Sequence, residues 1–504
     1  MRSGNGEVRE LPKGWIWTTL EDISEILDSY RKPINAEERA KRIQGKGEKE
    51  LFPYYGATGK VGYIDNYLLD GTYILLGEDG APFLEFSKNK AYLVVGKIWV
   101  NNHAHILNTS ASKEYLCHFL NQVDYHNFVT GTTRLKLNQA SMKRIPIKLP
   151  PLQEQNRIVE KIEELFSDVD QGVESLKTAQ KQLKVYRQAV LKWAFEGKLT
   201  EEWRKQQTTL KTGEALLAQI KSERENRYQQ QLAEGEEKVR EWEAIGKVGK
   251  KPVKPQKQEY YPVLDENQLN SLEALPDFWI WEKSGNICQS IVPNRDKPKS
   301  FTGSIPWITT PDIEPDNITI NPRSIYIGLT LDEAEKYNAR LIPINSVVMT
   351  CVGSFGMVFT TSYECIINQQ LHAFITHKYI NPKFIAYSLK RKKRWMEDHA
   401  TSTTIAYLNK TNCNSTPIPI CCIEEQEQIV QEIESRLSIC DQLEATIIEN
   451  LQKAEALRQS ILKQAFEGKL VPQDPDDEPA EKLLERIRLE KEQSQTVDRG
   501  GRSA

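Results

Sequence analysis

The sequence predicts an α+β protein with a pseudo-two-fold internal repeat, in which two similar compact modules alternate with two long helices. Three observations carry this reading. LQEQNRIVEKIEELFSDVDQ at 152–171 matches IEEQEQIVQEIESRLSICDQ at 423–442, and LKWAFEGKL at 191–199 matches LKQAFEGKL at 462–470, both pairs 271 positions apart, with 19 identities over 49 gapless positions. A repeat of that length settles architecture before any local propensity does. Within the first copy Ile162, Val169, Leu176, Leu183 and Val190 recur every seven residues, and in the second Ile433, Cys440, Ile447, Ala454 and Ile461 do the same. That spacing is a coiled-coil seam. Outside the copies, short β-rich runs separated by Gly, Pro and Asn indicate two compact α+β modules.

Taken in order, residues 11–150 form the first module, with strands in TYILLG (72–77) and AYLVVGKIWV (91–100) and a helix in SKEYLCHFLNQV (112–123). Residues 151–200 are the first long helix, uninterrupted by proline after its start and stopped near Gly197. Two such similar helices bury their stripes most simply against each other, or against helices of a partner. Residues 201–274 read as a charged helical segment running into a Lys/Pro linker exposed between the halves. Residues 275–422 are the second module: LPDFWIW (275–281), NQQLH (368–372) and TSTTIAYLN (401–409) echo LPKGWIW (11–17), NNHAH (101–105) and TGTTRLKLN (130–138). Residues 423–471 are the second long helix, with Leu437, Leu443, Leu451 and Leu457 supporting its seam, and 472–504 a helical tail resembling 216–225.

Composition narrows the function. With 67 Lys+Arg against 70 Asp+Glu, the 504 residues carry no bulk polybasic signature. The sum hides a division, because 11–150 holds 18 basic against 15 acidic residues and 275–422 holds 15 against 12, while 423–471 holds 5 against 10. Mildly basic modules of this kind grip nucleic acid weakly alone and depend on partners for phosphate contact. The start lacks a signal-peptide core and no apolar run reaches membrane-spanning length, which points to a cytoplasmic protein. The eight Cys show no CxxC pair and are expected to be reduced and packed.

Catalytic apparatus is missing from the sequence. There is no GxxxxGK[ST], no GxGxxG after a strand, no HExxH and no GxSxG. The Pro-Asp pairs lack a following Asp/Glu-x-Lys, and Pro150-Pro151 lacks the flanks of an amino-methyltransferase site. His103 and His105 have no acid or Cys cluster beside them in the sequence. No catalytic and no metal-binding residue is therefore assigned. A self-contained enzyme that cuts or methylates, and a coiled-coil scaffold without DNA selectivity, are the rival readings.

Pro150-Pro151-Leu152 followed by Glu154-Gln155 and Ile158-Val159, the two copies of AFEGKL (194–199 and 465–470), Tyr54 to Gly62, and Ile305-Pro306-Trp307 form a specific combination. By these residues the chain, over about 11–492, resembles the specificity subunits of type I restriction-modification systems. The resemblance implies two target recognition domains, each reading one half of a split double-stranded DNA target. It implies that the long helices pair as an antiparallel coiled coil that separates the domains and docks two modification (methyltransferase) subunits, which restriction (translocase-nuclease) subunits join. S-adenosylmethionine, ATP and Mg belong on those partners, and this chain binds no cofactor. A pseudo-two-fold object presents its domains to DNA in inverted orientation, so half-sites are expected about one helical turn, ~34 Å, apart.

Phosphates need donors and base edges need amide or guanidinium forks. Polar loops meeting that need in the first module are Tyr54, Tyr55, Gly56, Thr58, Gly59 and Lys60; Asn101, Asn102 and His103; and Thr130, Gly131, Thr132, Thr133, Arg134 and Lys136, with Arg134 the leading single contact. The second module offers Trp307, Thr309, Thr310 and Asp312; Gly353, Ser354 and Gly356; Asn368, Gln369 and Gln370; and Thr401, Ser402, Thr403 and Thr404. Ile405 stands where Arg134 would be, and the run from Lys390 to Arg394 is a possible source of the missing charge, although such a run is more often a solvated face.

Overall fold

The computed structural model describes residues 10–500 apart from 250, 294–296, 321–324 and 402–404. Both long helices form, Leu152–Phe195 and Ile423–Phe466, each of 44 residues and so about 65 Å long. The chain divides into two compact units, Met1–Ala179 with Thr446–Ala504, and Gln180–Ala445.

In the first unit a six-stranded sheet runs in the spatial order Glu25–Ile26, Ala104–Asn108, Leu69–Gly77, Ala91–Val100, Phe52–Gly56, Gly59–Ile64. Its pairings are antiparallel except at Tyr54 and Tyr55, which run parallel to Trp99 and Val100. A ribbon of Ile16–Thr19 with Pro146–Leu149 joins the two ends of the module. Ile74, Leu107, Tyr115 and Phe119 of the module share one core with Ile158 and Ile162 of the first long helix, Ile461 and Phe466 of the second, and Leu483, Leu484 and Ile487 of the tail helix Ala480–Gly500.

The second unit repeats the plan. Cys288–Ile291, Leu371–Thr376, Ser346–Thr350 and Val358–Thr360 form one sheet, and Gly328–Leu329, Ile305–Ile308, Cys365–Ile367 and Leu341–Ile342 another, with Trp307 and Ile308 parallel to Ile366 and Ile367. Val347, Phe374 and Phe384 pack with Val190 and Phe195 of the first long helix, Ile429 and Ile433 of the second, and Leu216, Leu217 and Ile220 of the helix Gly213–Ala244. The start of that helix is core, because three apolar residues within five positions give it a face to bury.

Within each unit the long helices run antiparallel. Lys148 donates to the Phe466 carbonyl at 2.8 Å, and further along the first helix Asp170 pairs with Arg458, earlier on the second. In the other unit Arg187 reaches Asp441 at 2.7 Å, and Thr200 reaches Glu425 at 2.8 Å. Of the expected seam, Ile162, Val190, Ile433, Ile447 and Ile461 are buried, whereas Val169, Leu176, Leu183 and Leu451 are half-buried. Leu457 and Leu443 depart from the expectation, at 50% and 48% exposed. Each lies one position before the Leu437–Glu444–Leu451–Arg458 column and faces off the seam, since a 3.6-residue turn places adjacent columns 100° apart.

The repeated motifs meet at one junction in each unit. Trp15 donates to Glu154 at 3.0 Å, and Trp279 to Glu425 at 2.9 Å. The neighbouring glutamines work alike: Gln155 accepts from Ser112 N at 2.9 Å and donates to Pro150 O at 2.8 Å, while Gln426 accepts from Asn381 N at 3.0 Å and donates to Cys421 O at 2.9 Å. Gly468 ends the second helix at φ +68° against Pro12, and Gly197 ends the first at φ +70° against Pro276. A Cβ at either glycine would collide with that proline. Each module is thus clamped by the Glu-Gln pair that starts one long helix and the glycine that stops the other. All eight cysteines are buried and unpaired as disulfides, and among the described residues no helix is long and apolar enough to cross a membrane.

Candidate nucleic-acid interface

Two of the three loops predicted in the first module meet on one carboxylate. Strand Leu69–Gly77 delivers Glu78 and Asp79, and Asp79 Oδ1 lies 2.6 Å from His103 Nδ1 and 3.1 Å from Arg134 Nη2. Thr130 and Lys136 exchange backbone hydrogen bonds of 2.9 and 2.8 Å, closing the loop that carries Thr132, Thr133 and Arg134, all exposed. Lys136 Nζ lies 3.1 Å from Glu78, which Arg31 also holds at 2.5 Å. Burial works to raise the Glu78 carboxyl, but Arg31 and Lys136 bring it below the usual range. A recess of about 250 Å³ opens beside Arg134, walled by Pro82, Phe83, Leu84 and Thr133.

The Tyr-Gly segment is a β-hairpin, not an irregular loop. Thr58 and Lys60 are exposed at and beside its tip, Gly59 adopts φ +138°, and Asn101 N donates to Tyr55 O at 3.1 Å, which joins the hairpin to the turn at 101–103. Tyr54 departs from the expectation: it is 2% exposed and its hydroxyl bridges both Ile34 backbone groups. Strand alternation turns Tyr54 inward. Tyr55 and Gly56 are half-buried and buried, and Asn101 is buried with its side-chain Oδ1 accepting from His103 N at 2.8 Å, so it shapes the turn while Asn102 is exposed.

The second module gathers the matching places. Thr310 donates to Gln370 at 3.2 Å, Asn368 accepts from Gln370 N at 3.1 Å in the same turn that Asn101 makes, and Gly353 N donates to Ala406 O at 3.0 Å. Thr401 closes its loop on Tyr407 O at 2.9 Å, as Thr130 does on Lys136. Ser354, Gln369 and Gln370 are exposed, whereas Thr309 is used in capping Asp312 at 2.7 Å. Trp307 is corrected to a core residue, packed 5.6 Å from Phe301. Ser402, Thr403 and Thr404 lie outside the described residues. The run from Lys390 is divided: Arg391 holds Glu273 at 2.8 Å, and Lys392 lies 4.2 Å over Trp281, its amine lowered by burial to about 8, while Lys393 and Arg394 are exposed.

Sequence reading missed Asp28, Arg31, Glu78 and Asp79. The only signal was an acidic pair directly after a strand, and nothing in spacing links residue 28 to 105 or 79 to 134.

The model of the type I restriction modification DNA specificity domain matches the chain twice, at residues 12–184 and 281–453. The chain belongs to this specificity family. Each match of the specificity domain takes in one module and most of the long helix after it. The EcoDI specificity subunit of Escherichia coli is 22% identical over 478 residues, 90% of this chain and 91% of that one. The EcoBI specificity subunit of the same organism is 26% identical over 393 residues, 75% and 70% of the two chains. A putative specificity subunit of Haemophilus influenzae is 33% identical over 151 residues, and there the match spans only 37% of the relative. Among solved structures, a chain of a type I R-M system is similar with TM-score 0.57 at 17% identity, over 91% of this chain and 99% of that one. The HsdS subunit of Thermoanaerobacter tengcongensis is similar with TM-score 0.51 at 18% identity, over 91% and 98%. These two likenesses concern the fold alone.

Proposed function

We propose that the chain is the DNA specificity subunit of a type I restriction-modification complex, each module reading one half of a split double-stranded target. The observation that supports this most is the duplication of the polar set: two modules each bring a closed threonine loop and an Asx turn together at the end of a strand. Exposed Arg134, Thr132, Thr133 and Lys60 in the first, and Ser354, Gln369 and Gln370 in the second, offer the guanidinium, amide and hydroxyl groups that base edges and phosphates take. The long helices set the gap and dock two modification subunits, and restriction subunits complete the assembly. The chain supplies the address and no catalytic group. S-adenosylmethionine serves the modification subunits, and ATP with Mg the restriction subunits, in the cytoplasm.

Co-purification with a modification subunit, followed by mapping of methylated adenines, tests assembly and address together. Methylation at one split sequence with an unread gap is expected. Methylation without sequence preference would overturn the reading.

A further inference from the structure

The polar set of the first module is braced by an ion network that has no counterpart among the described residues of the second. His105 is buried, with Nδ1 2.6 Å from Asp28 and Nε2 2.9 Å from the Leu137 carbonyl. The two ring nitrogens thus face a carboxylate and a backbone carbonyl, which fixes the ring between them. Asp28 also accepts from Ile106 N at 3.0 Å and from Gln139 at 3.1 Å, and Arg31 ties it at 3.2 Å to Glu78. Leu137 N donates to Glu78 O at 2.7 Å. These bonds converge on residues 136–139, directly after Arg134. Protected, charge-assisted hydrogen bonds are strong enough to fix such a segment in one place.

In the second module Leu408 N donates to Cys351 O at 2.8 Å, as Leu137 does to Glu78, but a thiol replaces the carboxylate. His372, which matches His105 in sequence, is buried with no hydrogen-bond partner on Nε2 among the described residues and packs edge-on against Phe374 at 4.7 Å.

We propose that His105, acting with Asp28 and Glu78, is a positioning residue for reading the first half-site, and that His372 has no such part in reading the second. The proposal rests on the DNA-reading function above. The test uses the full chain assembled with modification subunits and compares binding to DNA carrying both half-sites, or with one half-site altered. His105→Leu is expected to lose about tenfold or more of its discrimination at the first half-site and to keep the parent's discrimination at the second; His372→Leu is expected to keep both. Glu78→Gln preserves shape and guards against simple unfolding: it should weaken the same half-site while the chain stays folded, as circular dichroism at the assay temperature would show. First half-site reading at the parent's level in either His105→Leu or Glu78→Gln overturns the proposal, as does equal loss at both half-sites. A parent that discriminates at neither half-site would instead remove the DNA-reading function.

Discussion

Phe278 holds φ at +72° while 57% exposed, and the first copy of its motif has Gly14 at φ +81° in the same place. Both carbonyls accept from the first residue of a helix that comes after a long helix, Gly14 O from Ala480 N at 3.1 Å and Phe278 O from Gly213 N at 2.7 Å, so the backbone is fixed whatever residue stands there. A left-handed conformation costs an L-residue about 1–2 kcal/mol. Gly14→Ala should therefore lower stability by about 1 kcal/mol, since its Cβ meets only Pro151 at an ordinary 3.5 Å. Phe278→Gly should be neutral or stabilising by up to about 1 kcal/mol; urea titration that finds it clearly destabilised would mean the ring makes a contact of value. His372 yields a second residue-scale expectation. Burial lowers its ring from 6.5 to about 3, so between those values the unfolded chain binds a proton that the folded one does not. Stability is then complete above pH 6.5 and falls as pH falls, at up to ~1.4 kcal/mol per unit. His372→Leu should flatten that acid slope in pH-dependent melting, and an unchanged slope would count against the depressed ring. Such residue-level features were only partly legible. Arg134 could be named from its loop, but Asp79, the carboxylate that holds it, is distant in sequence, and no spacing links the two.

At the scale of elements, the long helices were the most legible part, because a seven-residue apolar recurrence is a global property of the segment. Side-chain columns on the flank were less so: the apolar spacing of Leu443 and Leu457 looked like seam and proved half-exposed. The difference is measurable. Ile433→Ala, at 0% exposure, should cost about 2–5 kcal/mol, whereas Leu457→Ala should stay within about 1 kcal/mol; similar losses at both would place Leu457 against something the chain alone does not show. Strand register was not readable, since the parallel pairing of Tyr54 with Trp99 joins segments that no hairpin turn connects.

For the whole molecule, the proposed role assigns sequence preference to the modules and spacing to the helices, and the two should separate experimentally. Removing one heptad from each long helix is expected to change the permitted gap and leave the half-site sequences unaltered. Sites selected from a random DNA pool would show this, and altered half-sites would refute it. The division of the chain has a further consequence, for synthesis. Gln180–Ala445 is a continuous stretch, but the core of the other unit needs Ile461, Phe466, Leu483 and Ile487. Domains fold as they emerge from the ribosome once their residues are available. The module translated first therefore waits longest, with part of its apolar surface uncovered until the last helix leaves the tunnel, and the inner unit matures before the outer one.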